Sequence, residues 1–137
     1  HSLFFGATVR KVMDAEDGGE IVVWGTGEET ARDLVYVDDV VDFMRRAIVG
    51  QVDPFVLCNV SAGVAYTVKE VVEEIVRVSG KNLKIVYDTS KPSIPTKLAL
   101  DWSKAAQLFG WAPCTSLTEG IQKTLDWYKE YYVEEFL

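Results

Sequence analysis

The sequence predicts an α/β fold of about four short strands and five helices, and three observations carry that prediction. Short apolar runs rich in β-branched residues alternate with stretches whose apolar residues recur at helical spacing. Several of the helical stretches open on a capping signal or close on a glycine. Apolar residues make up 48% of the 137, enough for the core of a single domain over 1–137.

In chain order, Ala7 to Glu16 reads as a helix with Val9, Val12 and Met13 on one face, stopped by Gly18-Gly19. Ile21 to Trp24 is a short apolar strand, and Gly25 to Ala31 a polar loop. Leu34 to Val37 has the composition of a second strand. Asp38 or Asp39 then caps a helix to about Val49, with Val40, Phe43, Met44, Ala47 and Ile48 apolar and Gly50 at its end. Phe55 to Val60 is a third strand. Thr67-Val-Lys-Glu70 is a capping box that opens a helix carrying Val68, Val71, Val72, Ile75 and Val76, closed by Gly80. Leu83 to Tyr87 is a fourth strand, and Asp88 to Leu100 an irregular stretch around Pro92 and Pro95. A short helix over Ser103–Phe109 ends at Gly110, with Trp111 behind it. Ser116-Leu-Thr-Glu119 is a second capping box, opening a last helix to about Tyr132. Four short strands are few for a doubly wound sheet, so these elements read as parts of a larger α/β protein.

Composition removes several functions. Twenty-one acidic against 14 basic residues give a net charge of −7, which disfavours nucleic acid as a partner. The one histidine is His1, which argues against a His-rich metal site or a Ser-His-Asp triad. No apolar run approaches the roughly 18 residues of a membrane span, and a cytoplasmic location is expected. Cys58 and Cys114 match no zinc or redox spacing and read as buried, reduced thiols.

Five features invite chemistry. Gly25-Thr-Gly27-Glu-Glu-Thr30 mimics a dinucleotide fingerprint, but Thr30 replaces the third glycine, no helix follows, and Glu28-Glu29 would repel a pyrophosphate. Arg32 can offer a planar fork to phosphate, or pair with Asp33 or Glu28 at the surface. Asp38-Asp39 precedes an apolar helical stripe and reads as a cap. The stretch from Lys91 to Lys97 is either a solvated loop or one that closes cations over an anion. Trp24 ends an apolar strand, as core or as a platform beside a planar base.

The order of the motifs carries a resemblance. Val-Val-Trp-Gly-Thr-Gly (22–27), Arg-Asp-Leu-Val-Tyr-Val-Asp-Asp-Val (32–40) and Cys-Asn-Val-Ser-Ala-Gly (58–63) are followed by Thr-Val-Lys-Glu-Val-Val (67–72), Asp-Thr-Ser-Lys-Pro (88–92), Leu-Asp-Trp-Ser-Lys-Ala (100–105) and Leu-Thr-Glu-Gly-Ile (117–121). The chain resembles the C-terminal, substrate-binding part of the extended short-chain dehydrogenase/reductases. These are NAD(P)-dependent nucleotide-sugar epimerases, dehydratases and reductases, with the GDP-L-fucose synthases the nearest subgroup. The resemblance implies a nucleotide diphosphate-sugar ligand, with Arg32 on the diphosphate, Trp24 lining the nucleotide pocket, Lys11 touching substrate and Lys97 in the covering loop. It places NAD or NADP, its glycine fingerprint and the catalytic Tyr-x-x-x-Lys in an N-terminal Rossmann part outside this chain. Tyr36, Tyr66 and Tyr128 are followed four positions later by Val40, Glu70 and Tyr132, so no catalytic residue and no bound cofactor are expected here.

The resemblance also sets the Asp39–Val49 helix and the Phe55–Val60 strand against the missing sheet. That leaves Phe43, Met44, Phe55, Val56 and Leu57 uncovered, and implies a homodimer or a separate Rossmann chain as partner. The alternatives are a non-enzymatic assembly or regulatory domain, or one half of a split enzyme.

Overall fold

The computed structural model describes residues 4–132. In chain order the elements are α1 (Phe4–Asp14), β1 (Glu20–Trp24), β2 (Thr30–Asp33), α2 (Val37–Gly50), β3 (Ala65–Thr67), α3 (Val68–Ser79), β4 (Lys84–Asp88), β5 (Thr96–Lys97), α4 (Ser103–Phe109) and α5 (Leu117–Trp127). A π-helical turn, Tyr128–Tyr132, continues α5. The class is α/β, as the sequence predicts. β1 and β4 form a parallel pair, Glu20 facing Lys84 through to Trp24 facing Asp88. A second sheet has the order β3-β2-β5, with β2 antiparallel to β3 and parallel to β5.

The main core lies where α1, α3 and α5 meet β1. Val9 and Val12, Val71, Val72 and Ile75, and Ile121 and Leu125 are buried against Ile21 and Val23. Burying one such side chain is worth about 1.5–3 kcal/mol, so this cluster dominates stability. On β1 the side chains alternate, and Glu20, Val22 and Trp24 face outward. Lys81 ties α3 to the end of α1: its Nζ donates to the carbonyls of Val12, Met13 and Ala15 at 3.0, 2.5 and 2.6 Å. An ammonium there satisfies carbonyls that a helix C-terminus leaves without partners.

The capping signals hold unequally. Thr67 and Glu70 form the complete box: the Glu70 N–H donates to Thr67 Oγ1 at 3.1 Å, and the Thr67 N–H to Glu70 Oε2 at 2.7 Å. Ser116 accepts from the Glu119 N–H at 3.2 Å, while the Glu119 carboxylate turns to Lys123 at 2.9 Å. Gly80 and Gly110 close α3 and α4 with positive φ, as expected of C-terminal glycines.

Several expectations need correction. The second strand is Thr30–Asp33, not Leu34–Val37. Ladder partners decide this: Ala31, Arg32 and Asp33 face Thr67, Tyr66 and Ala65, whereas Leu34 packs onto the core from an unpaired segment. Phe55–Val60 forms no strand, because no other strand lies beside it among the described residues; Phe55 and Leu57 are exposed. Strand propensity without a neighbour leaves the backbone unpaired. Neither Asp38 nor Asp39 caps α2. Tyr36 occupies the cap without a side-chain bond, and both aspartates lie in the first turn.

Asp39 is instead buried and reaches across to the segment before α5. Its carboxylate accepts from Cys114 N–H at 3.2 Å, Cys114 Sγ at 2.9 Å, Thr115 N–H at 3.0 Å and Thr115 Oγ1 at 3.0 Å. Burial pushes its pKa up, but these four donors prevail and hold it below the ordinary carboxylate value. The carboxylate raises the Cys114 thiol pKa in turn. Cys114 is thus exposed and hydrogen-bonded, and Cys58 half-buried; neither is the buried thiol the composition suggests.

Phe43 also changes place. It packs edge-on against Phe109 and Trp111, whose indole Nε1 donates to the Asp39 carbonyl at 2.8 Å. The uncovered stripe of α2 is Val37, Val41, Met44 and Ile48, at spacings of four, three and four.

Two outcomes follow from this packing. Asp39→Asn should lower unfolding free energy by about 2–4 kcal/mol, because an amide puts a donor among donors in a buried site. Urea denaturation checks this, with Cys114→Ala expected to cost about 1 kcal/mol at most. Glu74 is held down to about 2 by hydrogen bonds from Arg77 and Thr118, the latter bridging α3 to α5. The folded chain therefore resists protonating this group more than the unfolded chain does. The stabilisation is complete above about 4.5, the ordinary value, and disappears as pH falls towards about 2. Urea midpoints should show wild type losing its advantage over Glu74→Gln across that window; a constant difference would contradict the assignment.

Candidate functional site

An open cleft of about 500 Å³ lies at the carboxyl end of β1, walled by α1, the start of β2 and the loop before β5. Parallel strands present their carboxyl ends to ligands, because the chain turns away there and leaves a crevice. Trp24 and Lys11, both singled out in the sequence, line this cleft with Thr8, Thr30, Val68 and Ser93. Trp24 is 58% exposed, so it is not core. The alternation of β1 causes this: buried Ile21 and Val23 force Trp24 outward. Lys11 Nζ donates to the Val22 carbonyl at 2.9 Å, which holds the ammonium against the strand edge.

Arg32 lies two residues beyond Thr30, on the same face of β2 by strand periodicity. Its Nη1 donates to the Ala31 carbonyl at 2.9 Å and to the Thr96 carbonyl at 3.2 Å. Among the described residues Nε and Nη2 carry no hydrogen bond, so one edge of the fork is fixed and the other is available. Neither carboxylate proposed as its surface partner takes that role. Asp33 accepts three backbone amides, and Glu28 pairs with Lys69 at 2.9 Å, which lowers the Glu28 pKa.

Lys97 is not brought to this cleft. It stands in register with Ala31, so its side chain leaves the sheet on the face opposite Arg32, towards Glu28 and Glu70. The loop before it is strapped down. Thr30 Oγ1 donates to the Ile94 carbonyl at 2.6 Å, the Thr96 N–H to the Glu29 carbonyl at 3.1 Å, and Ser93 Oγ to the Glu29 carboxylate. Gly25 permits this closeness, having positive φ; a Cβ there would lie 2.8 Å from Ser93 Cβ.

The Gly25–Thr30 turn does not fit a dinucleotide. A Cβ on Gly27 would strike Tyr87 at 2.9 Å, so that glycine serves packing against β4 and α3, and a strand follows where a fingerprint needs a helix. The Tyr-x-x-x-Lys pattern does occur in the sequence, at Tyr87–Lys91, contrary to the reading from three tyrosines alone. Tyr87 sits on β4 with its hydroxyl buried and unpartnered, and burial raises its pKa. Lys91 lies in the turn beyond the strand, not one helical turn from Tyr87 as a paired tyrosine and lysine would be. A smaller cavity of about 200 Å³ lies between Phe5, the Leu34–Val37 segment and α5; its walls carry no charge.

The GDP-mannose 4,6 dehydratase family matches this sequence over residues 6–124. The chain belongs to that family. A putative GDP-L-fucose synthase from Arabidopsis thaliana is 38% identical over 121 residues, covering 88% of this chain and 36% of the relative. The GDP-L-fucose synthase of Escherichia coli is 31% identical over 124 residues, covering 85% and 38%. The chain thus spans well under half the length of the curated relatives it matches. Among solved structures, UDP-glucose 4-epimerase from Thermotoga maritima, solved with UDP-glucose, has a TM-score of 0.74 at 31% identity, over 91% of this chain and 38% of that one. UDP-glucose 4-epimerase from Bifidobacterium longum, solved with NAD+ and UDP, shares the fold with a TM-score of 0.79 at 18% identity, over 95% and 40%. The resemblance drawn from the motif order therefore stands, as does the α/β class. Among the described residues no helix is long and apolar enough to cross a membrane.

Proposed function

We propose that this chain is the substrate-binding part of an NAD(P)-dependent nucleotide-sugar epimerase, dehydratase or reductase, and that its cleft holds the nucleotide diphosphate. The observation that carries the reading is the exposed Trp24 and the fixed Lys11 lining one cleft, with the half-anchored fork of Arg32 two residues beyond the cleft-lining Thr30 on β2. An indole face gives a planar base a stacking surface. A guanidinium with one edge tied to β5 meets phosphate oxygens with little ordering cost, and Lys11 adds a second cation. The cofactor and the proton-transferring residues lie outside this chain in this reading. The residues here bind and orient the substrate and move no proton.

The bare face of α2 belongs to the same proposal. Val37, Val41, Met44 and Ile48 form a seam of the kind helices bury in one another. Asp38 and Arg45 flank the seam; among the described residues neither side chain makes a hydrogen bond or a close ion pair, and Asp38 acts on Lys123 only through its charge. Two antiparallel copies would set Asp38 of each near Arg45 of the other, with opposed helix dipoles. In the full enzyme the face meets the cofactor-binding part; alone, the chain pairs with itself.

Two measurements test these statements. Calorimetric titration with GDP, UDP, dTDP and CDP should detect binding, weakened about tenfold or more by Arg32→Ala, since a charge-assisted hydrogen bond contributes about 1.5–3 kcal/mol. Arg32→Lys should restore it only partly, and equal affinities for wild type and Arg32→Ala would refute the role. Sedimentation at micromolar concentration should give a dimer that Met44→Glu converts to monomer; a wild-type monomer would refute self-pairing.

A further inference from the structure

We infer that Phe55 completes the self-pairing of this chain, its ring filling the uncharged cavity beside α5 of a second copy, an inference that rests on the pairing through α2 proposed above. The cavity, about 200 Å³, lies between Phe5, Leu34, Val37, Leu117 and Ile121. Three hydroxyls in its wall have partners of their own. Thr115 Oγ1 donates to the Asp39 carboxylate at 3.0 Å, Thr124 Oγ1 donates to the Gly120 carbonyl at 2.7 Å, and Ser116 Oγ accepts from the Glu119 N–H at 3.2 Å. Apolar walls with few free polar groups hold water poorly, and a cavity of roughly 150 Å³ walled in this way accepts a benzene ring. A phenyl side chain therefore matches the space in size and in polarity.

Val37 joins the cavity to the bare seam of α2, since it lines the one and begins the other. The apolar run continues past the helix: Val49, Val52 and Phe55 are 89, 95 and 78% exposed. Large apolar side chains left in water along one stretch mark a docking surface. Among the described residues the backbone of 52–57 makes one hydrogen bond, to the Asp53 carbonyl from Gln51 Nε2 at 3.0 Å, so the chain's own fold does not engage this stretch. Antiparallel pairing decides what it meets. With Asp38 of each copy beside Arg45 of the other, Val37 lies opposite the last turn of the other α2. The chain leaving that turn runs past Val37 to the mouth of the cavity. From Gly50 to Phe55 it spans at most about 17 Å, enough to carry the ring there. Twofold symmetry repeats the contact, so each dimer buries two rings. A second copy is the occupant that satisfies the flanking charges and the cavity together.

Sedimentation equilibrium of the 137-residue chain measures this as a dimer dissociation constant. Phe55→Ala should weaken the dimer about a hundredfold, each of the two rings contributing about tenfold, while Phe55→Leu should keep most of the affinity. Thr124→Phe, which occupies the cavity from within, should weaken the dimer comparably, and the double variant should be no weaker than either alone. Urea midpoints distinguish docking from a folding defect. In the Met44→Glu monomer, Phe55→Ala should leave the midpoint unchanged, because the ring is exposed there. A wild-type dimer indifferent to Phe55→Ala, additive losses in the double variant, or a lowered midpoint in the monomer background overturns the docking of Phe55 alone. A wild-type monomer overturns the α2 pairing and this inference with it.

Discussion

The carboxylate of Asp33 is the constraint on which the arrangement of the second sheet depends. It accepts from the amides of Ala62 at 2.8 Å and of Gly63 and Leu100 at 3.0 Å, gathering two distant segments onto the end of β2. Ser61 Oγ adds a bond to the Leu100 carbonyl at 3.0 Å, and Gly63 lies too close to Trp102 for any side chain. These bonds fix where the chain returns as β3 on one side of β2 and where it leaves β5 on the other. Hydrogen bonds to an ionised acceptor are the stronger kind, so one residue anchors three backbone positions. Because Asp33 is spent in this way, Arg32 next to it keeps an unpaired edge.

Features that depend on local chemistry were legible in the sequence. The Thr67–Glu70 box and the glycines at 80 and 110 declare helix ends through bonds within a few residues, and each stands where the pattern puts it. The core faces of α1, α3 and α5 follow from apolar spacing, and the end of α4 from Gly110. Features that depend on a remote partner were not legible. Thr30–Asp33 contains two charged residues and little β-branched content, yet it forms the central strand because β3 and β5 flank it. Phe55–Val60 has the better strand composition and no neighbour to pair with. Asp39 matches a cap by position, but its acceptors are claimed by Cys114 and Thr115, far along the chain.

The site shows the same division. Trp24 and Lys11 could be named from the motif order, and strand alternation explains the exposure of Trp24: the face of β1 that fills the core with Ile21 and Val23 leaves Trp24 outward, where it lines one cleft with Lys11. The same rule separates Arg32 from Lys97, since Lys97 shares a register with Ala31 rather than with Arg32. No one-dimensional reading supplies that register. Glu28 and Glu29 are identical neighbours in sequence, and only the placement of Lys69 and Ser93 gives them different partners.

Two of the exposed regions differ in their chemistry, the cleft beside β1 and the bare face of α2. The cleft joins an aromatic face, the Lys11 cation and several hydroxyls within a concave wall, with Arg32 two residues beyond Thr30, which suits a small, charged, partly planar ligand. The α2 face is aliphatic and flanked by opposite charges, which suits another protein surface and offers a phosphate nothing. Phe43 of α2 packs instead into the aromatic cluster with Phe109 and Trp111, and Trp111 in turn meets Trp102 and the Asp39 carbonyl. None of Val37, Val41, Met44 and Ile48 lines the cleft, so in the proposed reading a partner that covers them does not take the place of the nucleotide.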